Sequence, residues 1–154
     1  SRTGRVDDAL LTTLLAEPFF ARVPPKSTGR DLFHGKWLDA KLAGRTIASA
    51  DVQATLVALT ARTVADAVRA HCAAAAEVLV CGGGAKNAAL MDALAMALAP
   101  RTVASTTAHG VAVEHVEALA FAWLARETLA GRPGNLPAVT GARGARALGA
   151  IYPR

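Results

Sequence analysis

Leu79–Asn87 reads LVCGGGAKN, and the fold hangs on how its three glycines are read. Just upstream, Glu77–Cys81 is a short β-branched run. It is too short for a helix and reads as a buried parallel strand. Downstream, an Ala-rich helix is predicted from about Asn87 to Leu98, and Arg101–Ser105 has the pattern of a second strand. TTAHG, Thr106–Gly110, then reads as a loop. Strand, glycine turn, helix, strand is an α/β grammar. Successive glycines after a strand let backbone N–H groups approach a ligand closely. A helix N-terminus beyond them adds partial positive charge, and the site would lie outside the carboxyl end of the strand. The named phosphate-binding patterns do not fit. Lys86 follows the glycines too closely for a GxxxxGK[ST] loop, and Asn87 stands where GxGxxG needs its last glycine. Two readings stay open on these residues alone, a ligand-holding loop and a plain strand-to-helix turn with Asn87 as the helix N-cap.

Working outward toward the N-terminus, Asp51 is read as the cap of a long helix to about Ala75. Val52, Leu56, Leu59, Thr63 and Val64 form its apolar face. Val6, Leu10, Leu11, Leu14 and Leu15 predict an earlier helix that stops near Pro18. Pro24 and Pro25 set an extended stretch, and Ser27–Gly29 reads as a turn capping a helix from near Arg30 to Gly44. Toward the C-terminus, Val116, Leu119, Ala120, Trp123 and Leu124 fall at i, i+3, i+4, i+7 and i+8. They predict a strongly amphipathic helix that ends at Gly131. Arg132–Arg146 is Pro/Gly-rich and reads as an ordered, irregular loop, with LGAIYP after it as a short strand or turn.

The chain has 154 residues, 53% of them hydrophobic, and a formal charge of +5. That length suits one compact domain with a real core, and alanine abundance favours helix over strand. Lys and Arg are scattered with no basic stripe and no interleaved aromatics, which argues against a nucleic-acid footprint. No stretch is long and apolar enough for a membrane span before a charge interrupts it. Cys72 and Cys81 match neither a metal signature nor a disulfide framework. They read as buried free thiols in a reducing, cytoplasmic setting.

Few other side chains stand out as chemical groups. Glu117 sits at an apolar boundary of its helix, where a carboxylate can bind sugar hydroxyls or pair with a nearby Arg. His34, His71, His109 and His115 are dispersed without ligand spacing. Asp7 with Asp8, and Glu114 with Glu117, fit helix first turns as well as they fit an acid/base couple. A complete active site is not visible.

Taken together, PPKSTGRDLF, DVQATLVALTARTVADA, VLVCGGGAKNAALM, VEALAFAWLARETLAGRPGNLPAVTGA and LGAIYP occur in this order from Pro24 to Pro153. The chain from about Asp8 onward closely resembles the C-terminal part of bacterial anhydro-N-acetylmuramic acid kinases. The resemblance implies one lobe of an actin-like, ribonuclease H-like ATPase fold, helix-rich with a small sheet, belonging to a two-lobed enzyme. It implies ATP and Mg2+ as cofactors and 1,6-anhydro-N-acetylmuramic acid as the substrate. The product would be N-acetylmuramic acid 6-phosphate, formed with hydrolytic opening of the anhydro ring during murein recycling. It also implies a homodimer. Gly82, Gly83, Gly84, Ala85 and Asn87 resemble the family's adenosine loop, and Glu117 resembles a glutamate that contacts the amino sugar. Lys26–Arg30, Asn135 and Thr140 match family elements without an assigned role. The catalytic aspartate in a DTGPG/AN-like stretch and an SGTSLDG-like phosphate motif do not occur in this sequence. On this reading residues 1–154 are the nucleoside-side lobe, and those groups belong to an N-terminal lobe outside the chain. The alternative is a non-catalytic nucleotide-binding or dimerisation module. One departure stands three residues before Glu117, where the family often has Asp and this chain has Glu114.

Overall fold

A computed structural model describes residues 3–152. Chain order is α1 (Asp8–Leu15), α2 (Pro18–Ala21), α3 (Gly35–Leu42), α4 (Ser49–His71), β1 (Glu77–Val80), α5 (Ala88–Leu98), β2 (Thr102–Ser105), α6 (Val116–Leu129) and α7 (Pro137–Thr140). Short 3-10 turns cover Gly83–Lys86 and Thr106–His109. The strands pair in parallel, with Glu77 opposite Thr102 and Val80 opposite Ser105. The sequence-predicted α/β order, with one crossover helix between two parallel strands, is therefore present.

α4 is the spine. Its first half packs Leu59, with Val52 and Leu56, against Leu10 and Leu14 of α1 and against Trp37 and Leu38 of α3. Its second half packs Ala61 and Ala65 against Leu94 and Leu98 of α5, with Val78, Val80 and Val103 of the sheet beneath them. Small residues on α4 let α5 approach closely, and Leu98 and Ala65 are fully buried. Thr55, also fully buried, accepts from the Asp7 amide at 2.9 Å and donates to the Asp51 carbonyl at 2.7 Å. Asp51 in turn accepts from the Arg5 amide at 2.7 Å. Asp7 caps α1 by accepting from the Leu10 amide. Arg5 and Asp7 are thus pinned to the start of α4.

Several boundaries differ from the sequence reading, each for a local reason. α3 starts at Gly35, because His34 Nδ1 accepts from the Trp37 amide and serves as the cap; residues 30–34 form turns before it. α4 starts at Ser49, so Asp51 lies in its first turn, and the helix ends at His71. Cys72 and Cys81 are exposed, not buried. Cys72 follows the last turn of α4, and Cys81 lies past the last residue of β1, at the rim of the sheet. β1 is only half-buried, since α4 and α5 cover one face while Leu79 on the other remains 43% exposed. Residues 148–152 form no strand, and Pro153 of the LGAIYP stretch lies outside the described residues.

The largest difference is α6. It forms at the predicted place, but Glu127 is its only buried residue. Phe121, Leu119, Trp123 and Leu129 are exposed, and α6 makes no substantial contact with the other helices and strands. The face expected at Val116, Leu119, Ala120, Trp123 and Leu124 is not a buried one: none of these residues is buried, apolar side chains lie around the helix, and the described residues supply little to cover them.

Candidate functional site at the carboxyl edge of the sheet

β1 ends at Val80, and two residues later the backbone turns sharply. Gly82 has φ 70° and ψ −165°, a region essentially reserved for glycine. Its N–H donates to the Val113 carbonyl at 2.9 Å, which ties the turn to the segment leading into α6. The next residues wind into a 3-10 turn closed by Ala85 N–H to Gly82 O at 3.2 Å and Asn87 N–H to Gly84 O at 3.1 Å. A methyl group built on Gly83 would meet no atom within 4 Å, and one on Gly84 would meet only Leu90 Cδ2 at 3.5 Å. The three glycines therefore do different things. Gly82 serves the backbone bend, while Gly83 borders open space at the carboxyl end of a parallel strand, where such sheets bind ligands.

Asn87 closes the turn. Its Oδ1 accepts from the Leu90 amide at 3.2 Å, so it caps α5 as the sequence allowed. Lys86 forms an ion pair with Glu114 across the turn. The Lys86 hydrogen bond, foremost, holds the Glu114 carboxyl below the usual carboxylate range. A glutamate at this position has the reach to bridge to Lys86. Together, the Gly82–Val113 hydrogen bond and the Lys86–Glu114 pair bring the glycine turn against the entry to α6.

Glu117 stands three residues after Glu114, in the first turn of α6, and is exposed. No described residue forms a hydrogen bond or ion pair with its carboxylate, so the Arg pairing that could have explained it is not made. That pairing falls on Glu127 instead. There Arg132 Nε and Nη2 approach at 2.5 and 3.0 Å, and Arg126 Nε and Nη2 at 3.2 and 3.1 Å. These bonds, Arg132's first, pull the Glu127 carboxyl down to about 2 although burial opposes them. Nothing in the sequence periodicity marks that clamp, because Arg132 lies beyond the helix end.

Among the other matched positions, Lys26, Gly29, Asn135 and Thr140 have structural work. Lys26 Nζ donates to the carbonyls of Phe20 and Phe19 at 2.8 and 3.3 Å and lies over the Phe19 ring. The Gly29 amide donates to Asp31 Oδ1. Asn135 ties the late loop by accepting from the Arg146 amide at 2.7 Å and donating to the Gly144 carbonyl at 3.1 Å. Thr140 donates to the Leu136 carbonyl in α7. Thr106, at the carboxyl end of β2, has a buried hydroxyl without a partner among the described residues. Sequence patterns gave no hint of it. No three His, Cys, Asp or Glu side chains gather into a metal site among the described residues. No helix there is long and apolar enough to cross a membrane.

The model of one protein family, described as anhydro-N-acetylmuramic acid kinase, matches residues 1–154. The chain belongs to the anhydro-N-acetylmuramic acid kinase family. It is 58% identical over 155 residues to a relative of that name from Cupriavidus pinatubonensis, covering 99% of this chain and 41% of the relative. A Burkholderia thailandensis relative of the same name is 59% identical over 156 residues, covering 98% of this chain and 41% of its own length. A third, from Ralstonia nicotianae, is 57% identical over 156 residues with 99% and 41% covered. The chain thus spans about two fifths of the length of the curated relatives it matches. Family membership and the relatives' name agree with the family read from the sequence.

Proposed function

We propose that this chain is the nucleoside-side, C-terminal lobe of a kinase that phosphorylates 1,6-anhydro-N-acetylmuramic acid with ATP, opening the anhydro ring to give N-acetylmuramic acid 6-phosphate. The observation that carries this reading is the glycine turn. It is a sharp, glycine-only bend at the carboxyl end of a parallel strand, followed by a residue with free space where a side chain would stand. A flat nucleoside can lie against bare backbone there, with Gly82–Ala85 forming the floor and Asn87 holding the start of α5 in place. Glu117, exposed and unpaired by described residues, is positioned to accept hydrogen bonds from sugar hydroxyls, which suits a charged acceptor.

In the complete enzyme, an aspartate outside this chain would draw a proton from water attacking the anomeric carbon. The sugar's O6 would leave that carbon and attack the γ-phosphorus of ATP, with ADP as the leaving group. No three His, Cys, Asp or Glu side chains gather among the described residues, and Glu114 is engaged by Lys86. On this reading Mg2+ is held by the ATP phosphates and by groups elsewhere in a family-length protein. The same reading gives the enzyme a cytoplasmic role in murein recycling and a homodimeric state.

A second reading is a nucleotide-binding module without turnover, since the glycine turn offers a nucleoside floor that calls for no catalytic group. Transfer of labelled γ-phosphate to anhydro-N-acetylmuramic acid separates the two. The expected result is no transfer by this chain alone, and transfer by a chimera in which the chain replaces the matching segment of the Cupriavidus relative. Robust transfer by the chain alone would overturn the half-enzyme account; ATP binding with an inactive chimera would favour the module. In the active chimera, Glu117→Ala should raise the KM for the sugar by about tenfold, corresponding to roughly 1.4 kcal/mol of lost binding, and leave the KM for ATP unchanged. An unaltered sugar KM would return Glu117 to a rim residue.

A further inference from the structure

α6 is built like a core helix but is covered like a surface one. Phe121 and Leu129 are 64% and 76% exposed, and Leu119 and Trp123 flank them. Across from α6, Leu148, Ala150 and Ile151 form the other wall of an open apolar cleft of about 630 Å3. Leu136, Val139 and Tyr152 extend the exposed apolar surface. Contiguous exposed patches of this kind mark docking sites.

The cleft's chemistry limits its occupant. No charged side chain lines it, and its one hydroxyl, on Thr128, is already turned onto the carbonyls of Leu124 and Leu148. A small ligand needing orientation would find no polar handle. An interfacial membrane helix would carry several Lys or Arg on its polar face. α6 has Arg126 alone, engaged with Glu127. A 14-residue helix is also marginal without packing. Its C-terminal end is clamped through Glu127 and Thr128, and its entry is tied to the glycine turn through Val113 and Glu114, but the apolar face between them is left uncovered. The polypeptide able to cover it is indicated by length, since about three fifths of each relative lies outside the match. We propose that the α6 face, with the 148–151 segment opposite it, is the seat on which the rest of a family-length chain docks. This rests on the half-enzyme reading and adds to it the surface that joins the two parts.

The test uses the same Cupriavidus chimera, with stability and hydrogen exchange as readouts in place of turnover. Phe121→Glu and Leu129→Glu are made in the chimera and in the isolated chain. In the chimera, the α6 amides should exchange far more slowly than in the isolated chain, and each substitution should lower Tm by roughly 5 °C or more. In the isolated chain neither should lower Tm, because both side chains are already solvated. Equal exchange in the two proteins, or a chimera indifferent to both substitutions, would overturn the proposal. So would a dimer of the isolated chain that either substitution dissolves, since the occupant would then be a second copy. A protected α6 in a chimera without phosphoryl transfer would sink the kinase reading and leave the docking surface standing.

Discussion

At the scale of single residues, the glycine run separates backbone need from ligand need. Gly82 occupies a conformation that costs other residues about 1–3 kcal/mol. Gly82→Ala should therefore lower stability whether or not ATP binds. Gly83 has an ordinary backbone and empty space around its missing side chain. Gly83→Val should leave Tm within a degree or two of the parent and weaken ATP binding by about tenfold or more, roughly 1.4 kcal/mol. Calorimetric titration of both variants, beside their melting curves, reads the two effects separately. Unchanged ATP affinity in Gly83→Val would remove the turn from the binding site. The run of three glycines was legible as a turn. Which of them bends the chain and which borders space was not, because that depends on the Gly82 bond to Val113, 31 positions along the chain.

At the scale of elements, the periodic segments were the legible ones. α1, α4, α5, α6 and both strands lie where apolar spacing and β-branched runs put them. The errors collect at helix starts: His34 caps α3 later than expected, and α4 begins after Ala48 with no side-chain cap to mark it. They collect too wherever burial had to be guessed. Cys81 and Leu79 look like core in a run of apolar letters, but only one face of the sheet is covered. The Glu127 clamp was invisible for a different reason: its key partner, Arg132, lies past the end of α6 and reaches back. It carries a pH prediction. Arg132's hydrogen bond, then Arg126's, lower the folded carboxyl to about 2 from an ordinary value of 4.5. A depressed folded value means the stabilisation is complete above pH 4.5 and fades as pH falls toward 2. Glu127→Gln should therefore melt below the parent at pH 7. The gap should narrow between pH 4.5 and 2 and close near pH 2. A gap that stays constant across that window would show that packing, rather than ionisation, makes Glu127 matter.

At the scale of the molecule, one helix holds two cores together. The cluster of Leu10, Leu14 and Leu59 sits at one end of α4, and that of Ala61, Ala65, Leu94 and Leu98 at the other. One long helix from Asp51 to about Ala75 was legible from apolar spacing, and α4 does run unbroken for 23 residues; what spacing did not show is that each half serves a separate cluster. The site's glycine turn follows from the second cluster, since β1 and α5 are the elements that cluster positions. Coupling through α4 should make the two clusters melt as one. Leu98→Ala removes a fully buried side chain from the second cluster and should cost about 2–5 kcal/mol. Trp37 reports on the first cluster, where its indole donates to Glu17 at 2.9 Å and its ring meets Phe33 edge-on. Exposed Trp123 would blur that signal, so the comparison is made in a Trp123→Phe background. If α4 transmits the loss, the Trp37 fluorescence transition and the exchange protection of the α5 amides shift together in Leu98→Ala. A Trp37 transition that stays in place while α5 loses protection would mean the clusters fold independently. The nucleotide-side edge of the sheet could then open without disturbing α1 and α3.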